Sequence, residues 1–144
     1  MMKSGKELLT AAKAGLREVE PAYVKSLLDR KASSVILDVR EPDETKDGTI
    51  PGAAVLPRGF LELRVEKLCP ERECEVVVYC AGGNRTAMAV RALQEMGYKN
   101  VLSMKGGYGA WQHAGYPIEQ VKSLSADRLA RYARHLSMPE VGEK

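Results

Sequence analysis

Val76-Val77-Val78-Tyr79-Cys80-Ala81-Gly82-Gly83-Asn84-Arg85-Thr86-Ala87-Met88-Ala89-Val90-Arg91-Ala92-Leu93-Gln94-Glu95-Met96 is the stretch that decides the fold. Its first four residues are an apolar run that reads as a buried strand. From Thr86 onward Ala89, Leu93 and Met96 fall at i, i+4 and i+7, and Gly97 suits a helix C-terminal cap. Between them lies a short glycine-rich turn. Backbone N–H groups in such a turn converge on a small concavity and favour an anion there. Cys80 is therefore expected to be held as a thiolate, which makes it a nucleophile. Arg85 can offer a bidentate fork to an oxyanion, or close the loop by bonding its carbonyls. The competing reading is a strand-end cysteine kept for packing, because unbridged cysteine is among the most buried residue types.

Outward from this unit the chain alternates strands and helices. Val35-Ile36-Leu37-Asp38-Val39 is a β-branched run without polar alternation, as in a strand of a parallel sheet covered on both faces. Val19 is expected on a short edge strand. Pro21 opens a helix to about Asp29 with Val24, Leu27 and Leu28 as its apolar stripe. Ile50-Pro51-Gly52 is a turn, 53–56 a short strand, Leu61 to Leu68 a helix, 101–104 a strand, and Tyr108 to Ala114 a short helix. The pattern predicts an α/β sandwich with a mostly parallel central sheet flanked by helices. Sites in such sheets lie at the carboxyl ends of strands, where Cys80 and Asp38 both fall. Residues 1–17 are expected as an N-terminal helical extension, 18–120 as the domain proper, and 121–144 as a separate segment.

Bulk properties exclude several classes. A chain of 144 residues suits one domain with a sizeable core. The net charge of +3 gives no argument for nucleic acid. No apolar stretch approaches the roughly 18 residues needed to span a bilayer, and the N-terminus lacks the apolar core of a signal peptide, so a cytoplasmic location is expected. Cys69, Cys74 and Cys80 are an odd set with no C-x2-C spacing, and the only histidines are His113 and His135. Neither a disulfide framework nor a metal site is expected, and no cofactor is called for. Cys69 and Cys74 flank a polar loop and read as bystanders, with a resolving-thiol role as the alternative. Tyr108 and Trp111 read as core packing of the last helix, not as a pocket lining.

Four segments carry a family resemblance. They are Leu37-Asp38-Val39-Arg40-Glu41-Pro42, Gly48-Thr49-Ile50-Pro51-Gly52-Ala53, Cys80-Ala81-Gly82-Gly83-Asn84-Arg85 and Gly106-Gly107-Tyr108-Gly109-Ala110-Trp111. In this order and spacing they resemble the signature segments of the rhodanese family over about residues 18–120. The resemblance implies a rhodanese-like three-layer sandwich and a sulfurtransferase that carries a persulfide on Cys80. Cys80 and Arg85 are then the catalytic residues, and Ala81, Gly82, Gly83, Asn84, Asp38 and Arg40 the substrate-binding ones. For Asp38 two readings stand: a place near the pocket, or a strand-end acid paired with Arg40. Arg40 is expected to brace the loop. Many family members have histidine where this chain has Thr49, so any role of that histidine is absent. The active loop matches the shorter family form. Related dual-specificity phosphatases place the arginine one residue later, where this chain has Thr86.

The implied chemistry is a ping-pong transfer. A donor, thiosulfate or a persulfide, gives sulfur to Cys80, and a thiol or sulfur-carrier protein removes it. Ala81 adds no positive charge to the loop, which argues for a protein persulfide over thiosulfate. The segment from Leu124 to Gly142, with Leu129, Tyr132 and Leu136 on one helical face, resembles the opening of the MoeB/ThiF adenylyltransferases. It implies a fused or partner adenylyltransferase and a role in molybdopterin or thiamine synthesis; the alternative is a basic amphipathic helix capping the domain. Two rival functions remain: a rhodanese-like interaction module without catalysis, and a Cys-dependent phosphatase.

Overall fold

In the computed structural model, which describes residues 4–82 and 84–120, five parallel strands form one sheet. Its elements are α1 (Gly5–Ala14), β1 (Glu18–Val19), α2 (Pro21–Asp29), β2 (Val35–Asp38), α3 (Pro42–Thr45), β3 (Ala54–Val55), α4 (Leu61–Leu68), β4 (Glu75–Tyr79), α5 (Asn84–Glu95), β5 (Asn100–Met104) and α6 (Gly107–His113). A 3-10 turn, Arg58–Phe60, precedes α4.

The strand order is β1-β5-β4-β2-β3, with every pair parallel. β4 is central: Val78 is in register with Leu37 of β2 on one side and with Ser103 of β5 on the other. The apolar runs of β2 and β4 fit this because both faces are covered. Leu37, Val76 and Val78 pack with Leu61 and Val65 of α4 and Ala89, Val90 and Leu93 of α5. Ile36, Val77 and Tyr79 pack with Val24 and Leu27 of α2 and Tyr108 and Trp111 of α6. The result is a three-layer α/β sandwich, as the alternating pattern predicts. Both edge strands, β1 and β3, are two residues long.

The chain leaves β2 for β3 on one side and leaves β4 for β5 on the other. The carboxyl ends of β2 and β4 therefore flank the topological switch point, the place where open α/β sheets hold ligands.

Three local features differ from or extend the sequence reading. The N-terminal extension is not a loose tail: α1 starts with a capping box, in which the Ser4 Oγ accepts from the Glu7 N–H at 3.1 Å and the Glu7 Oε1 from the Ser4 N–H at 2.8 Å. It packs against α5 through a buried Ala12. Helix α3 went unanticipated; Pro42 sits at its first position, where a missing N–H costs nothing. The chain near its described end is clamped: Thr49 and Glu119 exchange backbone hydrogen bonds of 3.0 and 2.8 Å, and the Gly52 N–H donates to the Glu119 Oε1 at 3.0 Å. The segment resembling an adenylyltransferase lies outside the described residues.

Candidate active site

Cys80 follows β4 directly and is 1% exposed. The next residues, Ala81 and Gly82, are exposed, as is Asn84, which opens α5. Gly83 lies outside the described residues. The sheet thus delivers the thiol to the base of a loop whose rim faces solvent, at the amino end of a twelve-residue helix. Such an end carries partial positive charge.

The loop is held from behind by the turn after β5. Gly106 and Gly107 both have left-handed backbones, φ +78° and +63°. A Cβ on Gly107 would run into the carbonyl oxygen of Cys80 and would come within 2.6 Å of that of Ala81. Only glycine permits this approach. The Tyr108 N–H then donates to the Cys80 carbonyl at 2.8 Å. The Gly106-Gly107 pair therefore positions the active loop, a role its sequence alone does not state.

Arg85 reaches across the site. Its Nη1 and Nη2 donate to the two carboxylate oxygens of Glu44 on α3 at 2.5 and 2.8 Å. Glu44 Oε1 also accepts from the Glu41 N–H at 2.9 Å. The Arg85 hydrogen bonds hold the Glu44 carboxyl well below the usual carboxylate range, at about 2. In return the hydrogen bonds that Arg85 donates to Glu44 push the Arg85 ionisation up, and the charges of Glu44, Cys80 and Glu41 add to this. The guanidinium thus sits within electrostatic reach of the thiol while its fork is engaged by a carboxylate. Sequence reasoning offers it an oxyanion or the loop carbonyls as partners; in the structure that partner is Glu44. Nothing in the sequence singles Glu44 out among the four acids of residues 41–47.

Asp38 and Arg40, expected among the substrate-binding residues, are 0% and 4% exposed. Arg40 Nε donates to Asp38 Oδ1 at 3.0 Å and Nη2 to Oδ2 at 2.8 Å. Nη2 also bonds the Gly48 carbonyl at 2.8 Å and Nη1 the Glu44 carbonyl at 3.3 Å. The guanidinium lies 4.0 Å from the centre of the Tyr108 ring. Burial opposes its charge, but the hydrogen bonds and charge of Asp38 outweigh this and push its ionisation up. Of the two readings of Asp38, the geometry favours the pair with Arg40: in this structure neither side chain has surface to give a ligand. Arg40 ties β2, the backbone of α3 and the turn at Gly48 into one rigid wall.

Trp111 is fully buried; its Nε1–H donates to the Pro117 carbonyl at 2.7 Å and its ring meets Tyr116 edge-on. Tyr108 is 6% exposed. Both serve packing, as expected. Thr49 is buried and its backbone is tied to Glu119.

Cys69 is not on an exposed loop. It caps α4 at 2% exposure, and burial, with Cys74 beside it, pushes its thiol up to about 12. Both cysteines lie before β4 and Cys80 after it; Cys74 and Cys80, at either end of the five-residue strand, are six residues and about 20 Å apart along its axis. That separation removes the geometric basis for a resolving thiol. None of the three cysteines is in a disulfide. Among the described residues no cluster of His, Cys, Asp and Glu could hold a metal ion, and no helix is long and apolar enough to cross a membrane.

Comparison with known proteins agrees with this geometry. Residues 20–114 match the model of the rhodanese-like domain. A sulfurtransferase of Allochromatium vinosum is 32% identical over 103 residues, covering 72% of this chain and 94% of that protein. The probable adenylyltransferase/sulfurtransferase MoeZ of Mycobacterium tuberculosis is 30% identical over 95 residues, 65% of this chain but 24% of that protein. The match takes in the rhodanese part alone and gives no support to the adenylyltransferase-like segment. Among solved structures, a Rhodopseudomonas palustris protein of unknown function, described as a possible tyrosine phosphatase, superposes with a TM-score of 0.74 at 37% identity, covering 83% of this chain and 96% of that one. With a family match spanning well over half its length, and a strand, loop and helix disposed around Cys80 as its motifs require, this chain belongs to the rhodanese-like domain family.

Proposed function

We propose that the protein is a sulfurtransferase that carries sulfur as a persulfide on Cys80. The observation that carries this reading is the placement of Cys80 at the carboxyl end of the central strand, under a short loop buttressed by Gly107 and flanked by an Arg85 that Glu44 locks in place. In the first half-reaction the Cys80 thiolate attacks the outer sulfur of a donor. The donor's S–S bond breaks, and the leaving group departs with the electron pair: sulfite from thiosulfate, a thiolate from a protein persulfide. In the second, an acceptor thiolate attacks the outer sulfur of the Cys80 persulfide, and the pair from that S–S bond returns to Cys80. The helix amino end and the Arg85 charge stabilise the anion at both stages, without reorganisation, as in an oxyanion hole.

Ala81 brings no charge to the loop, which favours a protein persulfide as donor. Residues 124–142 suggest as macromolecular acceptor a sulfur-carrier protein activated by an adenylyltransferase, in molybdopterin or thiamine synthesis; there the outer sulfur of the Cys80 persulfide attacks the acyl-adenylate carbonyl, AMP leaves, and a reducing thiol then cleaves the acyl disulfide to release the thiocarboxylate. The phosphatase reading is weaker because the arginine falls at position 85, one residue short of the phosphatase spacing.

The test is intact mass after treatment with thiosulfate or a persulfide donor. One sulfur atom should add to the protein and leave on exposure to cyanide or dithiothreitol, and Cys80→Ala should abolish both the adduct and turnover. A Cys80→Ala protein that retains wild-type turnover overturns the proposal, and hydrolysis of p-nitrophenyl phosphate lost in Cys80→Ser would favour the phosphatase.

A further inference from the structure

Beside the active loop lies a cleft of about 350 Å³ that the signature motifs do not explain. Lys13 and Leu16 from the N-terminal extension form one wall, Glu18 of β1 and Ser103 of β5 the floor, and Gly82 and Gly106 the wall nearest the site. This size falls in the lower range of small-molecule sites, roughly 300–1,000 Å³. Lys13 and Glu18 both lie outside the residues that match the family model, so the chain's own extension makes the cleft what it is.

Three polar groups face it. Ser103 of β5 lines it and is 3% exposed. Lys13 and Glu18 carry opposite charges on the same cleft, yet neither makes an ion pair with the other or with any other described residue. They offer one cationic and one anionic contact to a single guest. The cleft touches the loop at Gly82, two residues after Cys80, which bounds the two Cα atoms to within about 7 Å.

Resting on the reading of Cys80 as sulfur carrier, we propose that this cleft binds the acceptor, a zwitterionic aminothiol of the cysteine class. Its carboxylate meets Lys13, its ammonium meets Glu18, and a polar edge meets Ser103. Its thiolate is then delivered to the outer sulfur of the Cys80 persulfide and leaves as the aminothiol persulfide, with the bonding pair returned to Cys80. A doubly anionic guest would satisfy Lys13 but be repelled by Glu18, which is why the acceptor and not thiosulfate is placed here.

Two measurements on the full chain decide it. In the first, L-cysteine, cysteamine and 3-mercaptopropionate are compared as acceptors. Lys13→Ala should raise KM for cysteine and mercaptopropionate about tenfold relative to cysteamine, the loss of one charge-assisted contact. Glu18→Gln should raise KM for cysteine and cysteamine relative to mercaptopropionate. In the second, the reduced protein is titrated with S-methyl-L-cysteine, which cannot accept sulfur, while the amide signals of Gly82, Ser103 and Gly106 are followed. They should shift to saturation, and about tenfold more weakly in Lys13→Ala. Acceptor KM values that move together in both variants, or a titration without shifts at these amides, overturn the inference. If Cys80 takes up no sulfur at all, the function proposed above fails, and the titration alone still decides whether the cleft binds an aminothiol.

Discussion

At the scale of single residues, the ion pairs around the site divide into one that holds the fold and one that holds the loop. The Asp38–Arg40 pair is buried, and removing one partner strands the other charge away from water. Asp38→Asn or Arg40→Ala should therefore lower stability by about 3–5 kcal/mol, read from the denaturant midpoint; a variant of wild-type stability that has lost sulfur transfer would instead show that these side chains meet substrate. The Glu44–Arg85 pair is about one-third exposed, at 34% and 36%, so solvent screens it and its share of stability is small. Its pH dependence has a definite sign. The Glu44 carboxyl is lowered from its ordinary value of 4.5 to about 2, so its stabilising share is complete above pH 4.5 and fades as the pH falls toward 2. The melting-temperature gap between wild type and Glu44→Gln should be open at neutral pH and close over that window; a gap that widens in acid contradicts the assignment. Cys80, Arg85 and the Asp38–Arg40 alternative were legible from residue type and spacing. Glu44 was not, because one acid among four in a charged stretch gives no local sign that a residue 41 positions away will claim it.

At the scale of elements, the strands and long helices follow from apolar periodicity: α2 and α4 have the bounds their stripes and Pro21 predict. Helix α3 escaped because four residues are too short to show a period. The support of one loop by another was also out of reach, since it joins Gly107 to Cys80 and Ala81 through carbonyl contacts that no side-chain pattern announces. That support is testable. Gly107→Ala places a methyl against the two carbonyls at a left-handed backbone, which should displace the loop and cut sulfur uptake by Cys80 about 100-fold, the scale of a 1 Å misplacement at a reacting centre. Gly109→Ala, two residues on, meets nothing within 4 Å and should behave as wild type. Equal rates of persulfide formation in the two variants would remove the buttress from the mechanism.

At the scale of the whole molecule, every residue assigned to the site, and the clamp between Thr49 and Glu119, precede residue 120. Deleting 123–144 should therefore leave the melting transition nearly unchanged, within the roughly 0.5 kcal/mol typical of changes away from buried features, and proteolysis should cut first near 120–125. Deleting back to 118 also removes the Glu119 hydrogen bonds to Thr49 and Gly52 and should lower the transition. If the first deletion unfolds the protein, residues 121–144 belong to this core and are not the start of another domain. The sheet's two borders have a consequence of another kind. β1 and β3 each offer two residues of backbone to the outside, while the longer apolar strands are enclosed between neighbours. A border that short is a poor template for a strand from another molecule. The domain can therefore be concentrated, or tethered beside other folded units, without its sheet growing into theirs: its resistance to aggregation is set by where the sheet stops.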